Sequence, residues 1–206
     1  MRFAIVMALL LGGANSAIAS DSLATCSLIA SESDRLACYD RAAGRGAESV
    51  KDTEAEGTKW AIYTWKSDLT DDSNVSLFVS ANKGTVCKYG DPERIDLVLR
   101  CREKTTSAYF STQRCYFNTD AKGDHGRIDV RFDNDAVTSI STIASSNHKA
   151  LFLYGDREAI PFIEKLLSTK NLVARFYPNF GSSVTTTFDV YGLDEAIKPL
   201  RQACGW

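Results

Sequence analysis

The segment Ile95-Asp96-Leu97-Val98-Leu99-Arg100-Cys101 carries apolar residues or cysteine at every second position. Because successive side chains of a β-strand point to opposite faces, this alternation predicts a half-buried strand with Cys101 on its buried face. Other segments rich in β-branched and aromatic residues predict further strands on both sides of it. These segments cover residues 60–65, 75–81, 105–112, 127–132, 138–143, 150–153, 172–177 and 184–191.

Two segments near the C-terminus have helical periodicity instead. In the first, which follows Gly155-Asp156, we expect Pro161 to lie in the first turn and Asn171 to end the helix in a left-handed conformation. Its apolar stripe consists of Ile160, Ile163, Leu166 and Leu167. The second covers residues 193–203, where Pro199 predicts a kink or a late start. The chain is therefore predicted to be an α+β protein, with a mostly antiparallel, sandwich-like β-sheet domain and two helices covering it.

The N-terminus has the features of a cleavable signal peptide over residues 1–19. Arg2 is followed by nine apolar residues, and Ala17-Ile18-Ala19 forms a cleavage site before Ser20. Nine residues are too few to cross a bilayer, so we expect export to the periplasm with no membrane span in the mature protein. In the mature chain we predict a small helical hairpin over 20–43, a flexible linker over 44–58 and the main domain over 59–206.

Six cysteines and no Cys-x-x-Cys motif favour a set of disulfides in an exported protein. Cys26 and Cys38 flank the turn of the predicted hairpin, so we expect a bridge between them. Cys101 ends a buried strand face and Cys204 ends the apolar stripe of the last helix, which favours a second bridge. Cys87 and Cys115 are then left as the third pair. The rival assignment joins Cys87 to Cys101 and Cys115 to Cys204, and the sequence does not decide between the two.

Candidate catalytic or metal-binding residues are few, and none belongs to a recognised motif. Asp124-His125 lies between glycines and His148 follows Ser-Ser-Asn, so both histidines are expected in exposed loops. Asp71-Asp72 and Asp133-Asn134-Asp135 are expected in turns between strands, and the second lacks the glycine and glutamate of an EF-hand loop. We therefore expect no catalytic residues, no metal site, no cofactor and no enzymatic activity.

The formal net charge is −2, with 24 Lys and Arg against 26 Asp and Glu spread along the chain. A protein that binds nucleic acid needs a basic patch to neutralise phosphates, and the sequence has no cluster of that kind. Nucleic acid is therefore not expected as a partner.

An ordered series of short phrases along the mature chain resembles the VasI/TagO family of type VI secretion system-associated proteins. The phrases are Arg35-Leu36-Ala37-Cys38-Tyr39-Asp40-Arg41, Leu69-Thr70-Asp71-Asp72-Ser73, Leu97-Val98-Leu99-Arg100-Cys101, Val130-Arg131-Phe132-Asp133, Thr187-Phe188-Asp189-Val190-Tyr191-Gly192-Leu193-Asp194-Glu195-Ala196 and Pro199-Leu200-Arg201-Gln202-Ala203-Cys204-Gly205-Trp206. The resemblance implies a periplasmic accessory protein without known catalytic residues. Cys87, Cys115 and the segment 83–94 depart from the family pattern.

Two functions follow from these observations. The first is a non-catalytic accessory or binding protein of a type VI secretion system, with an envelope or secretion-apparatus protein as its partner. The alternative is a stand-alone periplasmic inhibitor or immunity-type protein, of the kind that a prophage can carry. A cell-wall hydrolase is disfavoured because the sequence offers no acid–base pair.

Overall fold

The computed structural model describes residues 23–42, 53–54, 57–85 and 92–206, and the chain divides into two compact units, Met1–Ser49 and Val50–Trp206. The predicted signal peptide, residues 1–19, lies outside the described residues. In the first unit α1 (Leu23–Cys26) and α2 (Glu32–Ala42) form the predicted helical hairpin. Helices this short are marginal alone in water. The Cys26–Cys38 disulfide, with both residues buried, joins them and confirms the expected bridge.

The second unit is built on one antiparallel sheet of ten strands in the order β1-β2-β3-β4-β5-β8-β7-β6-β9-β10. The strands are β1 (Thr53–Glu54), β2 (Ala61–Lys66), β3 (Ser73–Ser80), β4 (Asp96–Arg102), β5 (Thr105–Ser111), β6 (His125–Phe132), β7 (Thr138–Ala144), β8 (Ala150–Tyr154), β9 (Asn171–Phe176) and β10 (Val184–Asp189). The α+β class and the antiparallel sheet agree with the prediction. Thr53 and Glu54 pair with β2 and form the two-residue β1, so this part of the segment predicted as linker is a strand. Residues 44–52 and 55–56 of that segment lie outside the described part of the chain.

The sheet curls, so that its two halves share one core. Phe110 of β5 contacts Phe176 of β9 and Phe188 of β10, with ring centroids 5.1 and 5.5 Å apart, although several strands separate them in the sheet. Near the start of β2, the Trp60 indole N–H donates to the Val190 carbonyl at 3.2 Å, just beyond the end of β10. The apolar faces of all the longer strands are therefore buried against one another.

The helices close this core. They are α3 (Gly155–Leu167), α4 (Leu193–Ala196) and α5 (Lys198–Cys204). The helix predicted over 193–203 begins at Leu193 and is interrupted at Ile197, so that Pro199 lies in the first turn of α5. Three details of α3 were predicted wrongly. The helix begins at Gly155, so Pro161 lies inside it, and it ends before Asn171, the first residue of β9, whose N–H donates to the Asp133 carboxylate at 2.8 Å. The buried stripe of α3 is also rotated relative to the expected one and consists of Ala159, Phe162, Ile163 and Leu166.

The C-terminus is attached to the sheet by a disulfide between Cys101 of β4 and Cys204 of α5, whose Cα atoms are 5.7 Å apart. The rival pairing of Cys204 with Cys115 is therefore not present. Cys115 is also disulfide-bonded, while Cys87, its expected partner, lies outside the described residues. Trp206 lies against the same region and donates its indole N–H to the Thr106 hydroxyl at 2.8 Å.

Candidate functional site

The residues considered for chemistry lie on the surface of the second unit, in separate loops. His125 opens β6 with an exposed side chain, and its Nδ1 is 3.4 Å from a carboxylate oxygen of Asp120 rather than from the neighbouring Asp124. Asp120 also accepts the backbone N–H of Asp124 at 3.0 Å, so it caps the loop that leads into β6. His148 lies in the loop before β8, with its Nδ1 3.4 Å from the Thr119 hydroxyl. Neither histidine lies in an enclosed cleft.

The acidic pairs have structural partners. Asp72 lies 3.6 Å from the Lys104 ammonium, and Asp71 occupies a left-handed turn with φ of 56°. The Asp133 carboxylate accepts the backbone N–H groups of Lys170 and Asn171, which joins the β6–β7 turn to the start of β9. Within the described ranges there is no group of three or more His, Cys, Asp or Glu residues that could hold a metal ion. No described helix is long and apolar enough to cross a bilayer.

One buried carboxylate is held by a polar network on β6. Asp129 accepts hydrogen bonds from the hydroxyls of Ser139 and Tyr177, and its Oδ1 is 3.3 Å from Nε of Arg127. These hydrogen bonds, above all the one from Ser139, lower the pKa of Asp129, against a smaller opposing effect of burial. The network joins β6, β7 and the end of β9.

A surface of a different kind covers the outer face of the sheet, opposite the core. On β4 the core-facing residues alternate with Asp96, Val98 and Arg100, which point outward. The strand registers place one residue from each of five other strands, β2, β3, β5, β8 and β7, in line with Val98. The resulting row across the sheet consists of Ala61, Phe78, Val98, Tyr109, Phe152 and Ile143. We call this row, together with Tyr63 and Tyr154, which stack against it, the aromatic face.

The rings of the aromatic face stack on one another in pairs. The centroids of Tyr109 and Phe152 are 4.5 Å apart, those of Phe152 and Tyr154 5.2 Å, and those of Tyr63 and Phe78 5.3 Å. Tyr154 and Ile143 remain 39% and 41% exposed. The described helices with contacts to these strands, α3 and α5, pack from the core side, through residues such as Phe162 and Cys204. Val98 at the centre is only 9% exposed and the neighbouring rings are half-buried, so the row is a continuous apolar strip that is most exposed at Tyr154 and Ile143.

Polar residues flank the apolar row symmetrically. Asp96 lies between Ser80 and Ser111 on one side of the row, and Arg100 lies between Ser76 and Ser107 on the other. Asp96 accepts the Ser80 hydroxyl at 2.6 Å, and the Arg100 guanidinium lies 5.2 Å from the centre of the Tyr109 ring. Each of the two charges therefore lies beside small hydroxyl side chains at the border of an apolar strip.

Asp96 and Arg100, the two charged residues that border the aromatic face, are partly removed from solvent. Burial raises the pKa of the Asp96 carboxyl, with a further contribution from Glu93, while the hydrogen bond from Ser80 opposes this. Burial likewise raises the pKa of Tyr109, and the positive charge of Arg100 opposes it. The Nε of Arg100 is buried without a hydrogen-bond partner. Such groups cost free energy in the isolated domain, and this pattern is typical of the centre of a protein interface.

Sequence reasoning did not predict the aromatic face. It assigned only the core-facing positions of the strands, whereas Phe78, Val98, Tyr109 and Phe152 are apolar on the side opposite the core. The signal was present in Leu97-Val98-Leu99, where three consecutive apolar residues place apolar side chains on both faces of one strand. The strand order that brings these residues into one row was not predictable from spacing.

The family model described as "Type VI secretion system VasI, EvfG, VC_A0118" matches residues 25–206. No curated protein matches the chain. Among solved structures, the fold is similar to the crystal structure of invasion associated protein b from Bartonella henselae, with 9% sequence identity and a TM-score of 0.46. That match covers 70% of this chain and 92% of the other. Because the family model spans most of the sequence, from the helical hairpin to the final Trp206, this chain belongs to the type VI secretion system VasI family.

Proposed function

We propose that this protein is an exported, non-catalytic accessory protein of a type VI secretion system, and that it acts in the periplasm through protein–protein contacts made by the aromatic face. The observation that carries the proposal is that a member of a family associated with type VI secretion has this apolar face on its sheet. Aromatic residues and arginine are enriched at the energetically important positions of protein interfaces. Tyr63, Tyr109, Tyr154 and Arg100 are of these types and lie together on one surface.

The lack of catalysis is proposed from the surroundings of the possible acids and bases. His125 and its partner Asp120 are both substantially exposed, with 58% and 43% of their side-chain surface accessible. Catalytic acids and bases usually depend on burial and charged neighbours that tune their pKa. Export is proposed from residues 1–19, and the disulfides fit an oxidising compartment. N-terminal sequencing of the mature protein is expected to begin at Ser20, and an uncleaved Met1 would contradict export.

The function is tested in a bacterium with an active type VI system from which this gene has been deleted. Complementation by the double variant Tyr109→Ser/Phe152→Ser is expected to leave killing of a competitor strain at least tenfold below the wild-type level. The matched control is Tyr191→Ser, which removes a tyrosine 58% exposed outside the aromatic face and is expected to complement fully. Equal far-ultraviolet circular dichroism and cooperative thermal unfolding of the purified variants show that the fold is kept.

Full killing activity with the double variant would contradict a role for the aromatic face. Unchanged killing after deletion of the gene would contradict the role in secretion. A loss of killing in His125→Ala, with an unchanged melting curve, would contradict the non-catalytic assignment.

A further inference from the structure

We propose that the aromatic face is the contact between two copies of this chain, related by a two-fold axis. The axis lies between the two facing sheets, parallel to them and perpendicular to β4, and passes over Val98. The proposal specifies the occupant of the face proposed above. Its test is independent of secretion, because it measures the association of the purified protein.

The first argument is the order of charges along β4. Asp96 and Arg100 lie two residues on either side of Val98 and point to the same face, about 13 Å apart at about 3.3 Å per residue. A two-fold axis at Val98, perpendicular to the strand, turns the second β4 antiparallel to the first. Asp96 of each copy then faces Arg100 of the other, so a single rotation forms two identical ion pairs. The charge pattern of the face is therefore complementary to itself.

The second argument is that neither charge has an ionic partner in the part of the chain that the structure describes. Asp96 has the Ser80 hydroxyl, and Arg100 has the Tyr109 ring together with a buried Nε that lacks a hydrogen-bond acceptor. A desolvated charge without a counter-ion is unfavourable, and a carboxylate placed opposite it relieves this cost. Ser76, Ser80 and Ser111 beside these charges are half-buried, and Ser107 is buried.

The third argument is the arrangement of the rings. Phe152 stacks with both Tyr109 and Tyr154, so the rings form one continuous apolar cluster. Aromatic and β-branched side chains of this kind form the interdigitating layer between two sheets packed about 10 Å apart. The six strands of the row span about 24 Å at about 4.8 Å per spacing, and with about 26 Å of length in β3 the face covers roughly 600 Å². The relief of the side chains brings this towards the roughly 800 Å² per partner of a standard interface.

The experiment measures the molar mass of the mature protein, residues 20–206, by light scattering and sedimentation over a range of concentrations. Wild type is expected to have twice the monomer mass. Arg100→Asp and Asp96→Arg each place like charges opposite each other, and each is expected to weaken dimerisation at least tenfold. The double variant Asp96→Arg/Arg100→Asp is expected to restore the dimer, and so is a mixture of the two single variants. Arg175→Asp, an exposed change on the outer face of β9, is the matched control and is expected to remain dimeric.

A second variant keeps the test decisive if the charge variants fail to fold. Ile143→Cys replaces a residue of the same row that is 41% exposed and lies along the axis, so a bismaleimide is expected to link two copies through it, whereas Arg175→Cys is expected to stay unlinked. A wild type that is monomeric at every concentration overturns the dimer, as do charge variants that dimerise like wild type. If the wild type is monomeric and Tyr109→Ser/Phe152→Ser still abolishes killing, the face contacts another protein, and the proposed function stands without the dimer.

Discussion

Replacing Cys101 and Cys204 together by alanine is expected to lower the free energy of unfolding of the sheet domain by about 4–5 kcal/mol. The two residues are 103 positions apart in sequence, and a cross-link closing a loop of about 100 residues stabilises by about 4.7 kcal/mol in the chain-entropy model. Both cysteines belong to or pack against the core, so the loss of their sulfur atoms adds to this effect. Because domains of this size are stable by about 5–15 kcal/mol, the variant is expected to be close to the limit of folding.

Differential scanning calorimetry at neutral pH measures this change. A loss of 4–5 kcal/mol corresponds to a fall in melting temperature of about 8–20 °C for a domain of this length. The matched control is Cys26→Ala/Cys38→Ala, which opens a loop of 12 residues in the other compact unit. That control is expected to leave the transition of the sheet domain unchanged. A fall of less than about 3 °C in the Cys101→Ala/Cys204→Ala variant would refute the reasoning that the C-terminus is held to the sheet chiefly by this bridge.

Three further outcomes are expected. Asp129 has a folded-state pKa below its unfolded value, so its contribution to stability is complete above the unfolded pKa and is lost as the pH falls through the folded pKa. Asp129→Asn should therefore flatten the decline in melting temperature at acid pH, and an unchanged acid limb contradicts this. Gly126→Ala places a Cβ 2.5 Å from the buried side chain of Leu151 and should destabilise by about 1–3 kcal/mol in urea unfolding. Trp206→Phe removes the hydrogen bond to Thr106 and should cost about 1 kcal/mol or more; a double-mutant cycle with Thr106→Val shows whether that bond is responsible.

Local physical chemistry was sufficient to predict most of the elements. Alternating residues such as those of 95–101 can bury one face only as a strand, so the strands were found within a few residues of their observed ends. Pro199 lacks a backbone N–H, which predicted a kink or a late start of the helix over 193–203, and the helix is interrupted at Ile197, two residues before it. The errors lie where a distant contact decides the local structure. Asn171 is extended because its N–H binds the carboxylate of Asp133, which is 38 residues away in sequence.

The sequence by itself determined the α+β class, the disulfide across the first hairpin and the resemblance to a secretion-associated family, because each depends on neighbouring residues or on a pattern read along the chain. The tertiary structure decided which strands are neighbours. It chose Cys101 rather than Cys115 as the partner of Cys204, and it brought Phe78, Val98, Tyr109 and Phe152 into one row. These side chains come from four strands spread over about 75 residues, and spacing along the chain holds no information about register across a sheet. The candidate site therefore exists only after the strands have paired.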